Sequence, residues 1–313
     1  MSVLPTDSLA SPRFCGVPTF MRLPQATTLE GLDAAIIGLP SDSGAPFRTG
    51  ARFAPHAVRA MSIMLRPINP YRGGINVFER LRVADAGDAA VVPGYLEETL
   101  ARIEMSVRAL VEAGLTPFGI GGDHSVTLAE LRAVAATHGP LALIQFDSHT
   151  DTWDNYFAGK KYSAGTPFRR GIEEGIIDPS HSIQIGMRGS LFSPDDVSQS
   201  LDLGYDVVTT DEMFAMGMPA LAARIAARTA GRPAFLTFDL DFVDPAAAPG
   251  VQTPEAGGPN ARETLDLLRR LKDIRLVGAD VVELSPSYDQ PAQITALLAA
   301  TVMAELLALR AEG

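Results

Sequence analysis

Residues 141–151 read Leu141-Ala142-Leu143-Ile144-Gln145-Phe146-Asp147-Ser148-His149-Thr150-Asp151. A short apolar run that stops abruptly at a polar cluster is the mark of a strand buried on both faces, as in a parallel sheet covered by helices. Two carboxylates and an imidazole follow at once at its carboxyl end. In open α/β sheets that is where ligands bind, at the point where strand order reverses. The stretch therefore points to a fold class and to the place of a site.

Working outward, the same pattern recurs along the chain. Apolar, β-branched runs at 34–38, 81–83, 116–120, 182–185, 206–209, 234–238 and 275–284 predict strands. Helical patterns at 55–64, 95–113, 126–137, 167–174, 194–203, 219–229, 260–271 and 291–310 fall between them. Several open on a proline or a good N-cap, such as Ser193-Pro194 and Asn260. Strand–helix alternation with no linker or repeat predicts one α/β domain over 1–313 with a largely parallel sheet.

Composition narrows the function. The 313 residues are 46% hydrophobic, and 26 basic against 37 acidic residues give a net charge of -11, with no basic cluster that would favour nucleic acid. The lone Cys15 excludes an intrachain disulfide and a thiolate metal cage. Residues 1–30 lack the pattern of a signal peptide, and the most apolar stretch, 294–309, is interrupted by Glu305. No membrane span is expected, and a cytoplasmic location is.

Two further strand ends resemble the first in chemistry. Gly121-Gly122-Asp123-His124-Ser125 follows 116–120, and Asp239-Leu240-Asp241 follows 234–238, with Asp244-Pro245 just beyond. Singly, His124 reads as readily as a helix cap, and Asp244-Pro245 is best taken as a turn. Residues two apart on an extended chain share a side, so Asp147, His149 and Asp151 form one set and Asp239 and Asp241 another. Adjacent carboxylates repel unless a cation neutralises them. Four aspartates and two of the chain's five histidines are too many ligands for one ion, and suit a pair of hard or borderline divalent cations. Glu283, after the β-branched Val281-Val282, either forks to a guanidinium or pairs with a core base.

Gly-Gly-Asp-His-Ser, Phe-Asp-Ser-His-Thr-Asp and Phe-Asp-Leu-Asp-Phe-Val-Asp-Pro, in that order, resemble the three signature motifs of the ureohydrolase family of arginases, agmatinases, guanidinobutyrases and guanidinopropionases. The resemblance runs from Phe47 to Asp289. It implies a three-layer α/β/α sandwich with a mostly parallel sheet of about eight strands, with residues 1–30 as an extension packed on it. It also implies two Mn²⁺ per chain (Ni²⁺ and Fe²⁺ fit the same ligands), hydrolysis of a guanidino compound to urea and an amine, and a homo-oligomer, hexamer or trimer. One metal would take His124, Asp147, Asp151 and Asp239, the other Asp147, His149, Asp239 and Asp241. Asp151 would aim the attacking water, and Glu283 would hold the guanidinium.

The leader Pro12 to Pro24 and Thr166-Pro167-Phe168-Arg169-Arg170 resemble the agmatinase, guanidinobutyrase and guanidinopropionase branch. Agmatine ends in an ammonium, the guanidino acids in a carboxylate that Arg48 or Arg52 would meet unless an acid at the sheet edge claims them. An ω-guanidino acid is the favoured expectation. Trp153, Asn155 and Tyr156 are expected to line the tail.

The chain departs from the family pattern at three places. Ala164 stands where the family has a histidine thought to pass protons to the leaving amine. Turnover is therefore expected to be impaired: the alanine is a deliberate substitution, or a natural variant with solvent, His181 or another group as substitute, or the mark of a pseudoenzyme kept for binding or regulation, with an engineered or naturally weakened hydrolase the favoured expectation. Gln252 replaces a common glycine, and either narrows the pocket or donates a hydrogen bond. Ser148 is expected to point away from the metals. His138, closing a helix, is expected to suit a partly positive ring. A one-zinc deacetylase of the same fold is the rival enzyme class.

Overall fold

The computed structural model describes residues 4–289 and 291–313. Its strands are β1 (Ala34–Gly38), β2 (Ile68–Asn69), β3 (Ile75–Asn76), β4 (Val83–Asp88), β5 (Thr116–Ile120), β6 (Ala142–Phe146), β7 (Ile183–Met187), β8 (Asp206–Thr209), β9 (Ala234–Asp239) and β10 (Leu276–Val282). The helices are α1 (Ala54–Ser62), α2 (Val77–Arg80), α3 (Leu96–Glu112), α4 (Val126–His138), α5 (Pro167–Glu173), α6 (Ser198–Asp202), α7 (Thr210–Met216), α8 (Met218–Arg228), α9 (Ala261–Arg270) and α10 (Ile294–Glu312).

β2 and β3 make a small antiparallel hairpin. The other strands form one eight-stranded sheet in the order β4-β1-β5-β10-β9-β6-β7-β8, and every neighbouring pair is parallel. Side chains alternate between two cores, because successive residues of a strand face opposite ways. Ile36, Phe118, Ile144 and Leu236 pack on one face with Val58, Leu221, Leu267 and Met303 of α1, α8, α9 and α10. Ala35, Leu143 and Phe235 pack on the other with Ile103, Leu131 and Phe168 of α3, α4 and α5. Helices on both faces and a parallel sheet between them are the architecture implied by the signature motifs.

The topology places the site. From β5 the chain leaves for β6, and the last two sheet strands, β9 and β10, later fill the space between them. Order reverses there, and the carboxyl ends of β5, β10, β9 and β6 stand side by side. These are the strand ends that carry His124, Glu283, Asp239 and Asp147.

Some boundaries moved. The strand expected at 81–83 begins only at Val83, because Leu81 is spent as the C-cap of α2. The helix expected at 194–203 shrinks to α6. α7 was not foreseen; a Thr209–Glu212 capping box starts it, and Gly217, at φ +79°, separates it from α8. α10 is 19 residues long and apolar enough, by length and composition alone, to cross a membrane, which corrects the reading that Glu305 disqualifies it. It packs instead as a core helix, and two thirds of its most apolar window is buried. In the N-terminal segment, the Phe20 N–H donates to Asp85 Oδ2 at 2.8 Å, and Phe20, Met21 and Leu23 are buried. Residues 1–3 of the expected extension lie outside the described residues.

Candidate metal centre

His124 leaves β5 through a turn that tolerates only glycine at one point, since a Cβ on Gly122 would run into the Ser41 carbonyl. Asp123, fully buried, ties that turn to a neighbouring loop by accepting the Gly44 N–H at 2.7 Å. Asp147, His149 and Asp151 follow β6. They converge, though not by strand alternation. β6 ends at Phe146, and Asp147 Oδ1 accepts the His149 N–H at 2.7 Å, folding the chain into an Asx turn. Asp239 repeats the device, accepting the Asp241 N–H at 2.7 Å over the 3₁₀ turn Leu240–Phe242. Asp151 and Glu283 sit at φ +49° and +71°, in the left-handed region, which L-residues occupy only where the surroundings hold them.

These devices bring six side chains together. His124 Nδ1 lies 3.1 Å from Asp147 Oδ2, 2.9 Å from Asp151 Oδ2 and 3.2 Å from Asp239 Oδ2. His149 Nδ1 lies 3.1 Å from Asp241 Oδ2 and 3.6 Å from Asp147 Oδ1. The ligand atoms of His124, Asp147 and Asp239 fall within 4.8 Å of one another, as do those of Asp147, His149 and Asp241. Asp147 belongs to both sets.

The donor set fits divalent cations. His124 Nε2 meets Thr237 Oγ1 at 2.8 Å, whereas buried Nδ1 makes no hydrogen bond although three carboxylate oxygens surround it. A ring nitrogen fixed from behind, with its other lone pair turned into a ring of oxygens, is how a protein presents imidazole to a metal. Charge agrees. Burial would lower the His124 imidazole, yet Asp147, Asp151 and Asp239 hold it well above its usual range. Burial, then repulsion from Asp241 and Asp147, raises Asp239 well above the usual carboxylate range, and burial with Asp147 pushes Asp151 up to about 6. Anions packed this tightly call for positive charge between them.

A second layer orients the ligands. Gln145 Nε2 donates to Asp147 Oδ2 at 2.7 Å, and Gln184 Nε2 donates to the Thr150 carbonyl at 2.7 Å and also bonds Gln145 Oε1. Ser148 belongs to this layer: its hydroxyl donates to Asp241 Oδ1 at 2.7 Å, and its N–H reaches the same oxygen at 3.0 Å. Asp244 forms a turn, accepting the Ala246 and Gly257 N–H groups.

A 570 Å³ cavity opens on this cluster, lined by His149, Asp151, Asp239 and Glu283 at its floor and by Trp153, Tyr156 and Phe192 on one wall. The Trp153 ring centroid lies 5.1 Å from that of Tyr156 and 5.8 Å from that of Phe192. Residues 32–308 match the model of the arginase family. The chain belongs to the arginase family. It is a hydrolase, a ureohydrolase, as its relatives are named. It is 44% identical to the guanidinopropionase of Pseudomonas aeruginosa over 99% of this chain and 96% of that protein. Agmatinase of Gallus gallus is 41% identical, over 93% of this chain and 85% of that one. The crystallised proclavaminate amidino hydrolase of Streptomyces clavuligerus superposes with a TM-score of 0.91 at 42% identity, over 96% of this chain and 99% of that one.

Against the family pattern, Ala164 is buried and lines the cavity, its N–H donating to the Gly44 carbonyl at 3.0 Å. His181 cannot stand in for the missing imidazole. It pairs with Asp178 at 2.9 Å just before β7 begins, at the amino ends of the strands, whereas the site stands at their carboxyl ends. Asn155 is exposed, bonded to Asp154, and is not among the cavity's lining residues. Arg48 is absent from the lining too; its Nη1 donates to the Val251 carbonyl at 3.3 Å, and its guanidinium lies 4.6 Å from the Tyr288 ring centroid. Arg52 is claimed by Asp42. Gln252 neither lines nor narrows the cavity; fully buried, it donates to Glu283. His138, set at the end of α4, is lowered by burial and by Arg275, so it is not the partly positive ring expected.

Several residues escaped the sequence reading. Arg188 lines the cavity, but its five hydrogen bonds go to the carbonyls of Gly186, Asp241, Phe242 and Glu255, which uses every donor it has. Asp196 and Phe192 line the outer wall. The signal for the second layer was there to find: Gln145, Gln184 and Thr237 are polar residues inside otherwise apolar, buried strands.

Proposed function

We propose that this ureohydrolase hydrolyses the guanidino group of a small linear guanidino compound to urea and an amine, at two divalent cations, with Mn²⁺ the expected metal and Ni²⁺ or Fe²⁺ the alternatives. The observation that carries the reading is Asp147, shared by two separate His/Asp ligand sets. His124, Asp147, Asp151 and Asp239 would hold one cation, and Asp147, His149, Asp239 and Asp241 the other. Such a pair supplies Lewis-acid charge and lowers the pKa of water toward neutrality.

The chain's own residues do the remaining work. Glu283, buried at the cavity floor, accepts the guanidinium in a planar, forked arrangement that fixes its orientation. Asp151 accepts a hydrogen bond from the attacking water and aims it at the guanidinium carbon. The leaving amine needs a proton, and Ala164 has none to give, so turnover is impaired rather than abolished. For the tail, the names of relatives support an ω-guanidino acid, such as guanidinopropionate or guanidinobutyrate. Arg188, however, lines the cavity with every donor spent, Arg48 and Arg52 are not among its lining residues, and Asp196, Asp211 and Glu255 line it, which supports agmatine.

The test is urea release from agmatine, arginine, guanidinopropionate and guanidinobutyrate, with each metal supplied separately, alongside elemental analysis. Two metals per chain and urea from at least one compound are expected. One zinc per chain would favour the deacetylase. Two metals and no urea, even after Ala164→His, would favour a binding protein of the same fold.

A further inference from the structure

Gln252 is fully buried behind the cavity, against Glu283. Its loop is stitched to the tail of β10: Val251 bridges Leu284, and the Ser285 N–H donates to the Gly250 carbonyl at 2.7 Å. Arg48 holds the Val251 carbonyl from the other side, at 3.3 Å. The loop so fixed delivers Gln252 Nε2 to within 2.6 Å of Glu283 Oε2. The other oxygen, Oε1, accepts the N–H of His124 at 2.6 Å.

A carboxylate has about four acceptor sites. Two of those on Glu283 are taken by the protein, one per oxygen, and a forked guanidinium asks for one on each. Both internal bonds come from donors that cannot swing, a main-chain N–H and an amide without solvent exposure. The carboxylate plane is therefore set before any ligand arrives, and the backbone strain at Glu283 is held by the same contacts. The amide's own carbonyl, Gln252 Oε1, is buried without a partner. An unmet acceptor in the interior is a cost that a methionine of similar length would not carry.

We infer that Gln252 is a positioning residue: it locks the Glu283 carboxylate in the orientation that receives a guanidinium, and it touches neither metal nor substrate itself. This rests on the guanidinium reading of Glu283 given above. It also gives Arg48 its place, as the clamp on the loop that carries Gln252 rather than a partner for the substrate's tail.

The experiment uses the full-length, Mn²⁺-loaded protein and two variants, Gln252→Met, which keeps length and loses the donor, and Gln252→Asn, which keeps the donor and draws it back. Agmatine and 3-guanidinopropionate are titrated calorimetrically, with metal content and melting temperature measured on the same samples. Both variants are expected to bind whichever compound the parent binds about tenfold more weakly, at unchanged metal content, while Gln252→Met melts no lower than the parent. A merely structural role would move the melting temperature and leave the affinity of the folded protein alone. Affinity within twofold of the parent in both variants overturns the assignment of Gln252 and leaves the ureohydrolase reading standing. Failure of the metal-loaded parent to bind either compound overturns both.

Discussion

Ala164 is where a single side chain decides most. The cavity, the ligand sets and Glu283 are all in place around it, and what it lacks is a group that can carry a proton. General acid–base help is worth roughly 10²- to 10⁴-fold. Ala164→His is therefore expected to raise the rate of urea release by about that range at unchanged metal content; equal rates would remove the proton-shuttle role from this position. Ser148 poses the converse case. Its hydroxyl orients Asp241, and outer-shell partners of this kind are worth about 10- to 100-fold in metal affinity. Ser148→Ala should weaken Mn²⁺ binding by that factor in a chelator competition, and an unchanged affinity would demote the hydroxyl to a bystander. At this scale residue types were legible and contacts were not. Asp147 announced itself by following an apolar strand, whereas nothing in the order of residues 251–253 says that an amide will lie against Glu283.

Among the elements, α4 and β10 enclose a pair of acids that the site does not use. Glu130 of α4 is fully buried, both carboxylate oxygens lack partners, and Asp280 of β10 has one bare oxygen and one that accepts from Thr127 at 2.6 Å. Burial first, then repulsion from Asp280, raises the Glu130 carboxyl well above its ordinary 4.5, with His124 pulling the other way. A carboxyl raised in the folded state gives stability that is complete below the unfolded value and is lost as pH climbs through the folded one. Glu130→Gln keeps the shape and removes the charge. Its melting temperature should gain on the wild type progressively as pH climbs above about 4.5. A difference independent of pH would show that Glu130 is not the titrating group. Strands and long helices were readable because their periodicity is local. α7 and the β2–β3 hairpin were missed because a capping box and two two-residue strands leave little periodic signal.

Over the whole molecule, the three strand ends that bear the metal-ligand sets, those of β5, β9 and β6, meet at one point. Cations bound there would hold β5, β9 and β6 together, and a ligand at a hundred times its dissociation constant stabilises the folded state by about 2.7 kcal/mol. Chelation should therefore lower the melting temperature, and Mn²⁺ should restore it; a melting temperature indifferent to chelator would argue against tight binding at this cluster. Strand order could not be read from the chain. The signature motifs and the alternation of strands and helices were enough to name the fold class, the family and the residue types gathered at each strand end. That information is covalent and local, carried by which acids and histidines follow which apolar runs. Only the folded chain decided that β9 and β10 slot between β5 and β6, that Asx turns rather than extended backbone aim the aspartates, that Arg48 turns away from the cavity, and that Gln252 backs Glu283. Those outcomes depend on contacts between residues far apart in sequence, whose energies exist only once the sheet has closed.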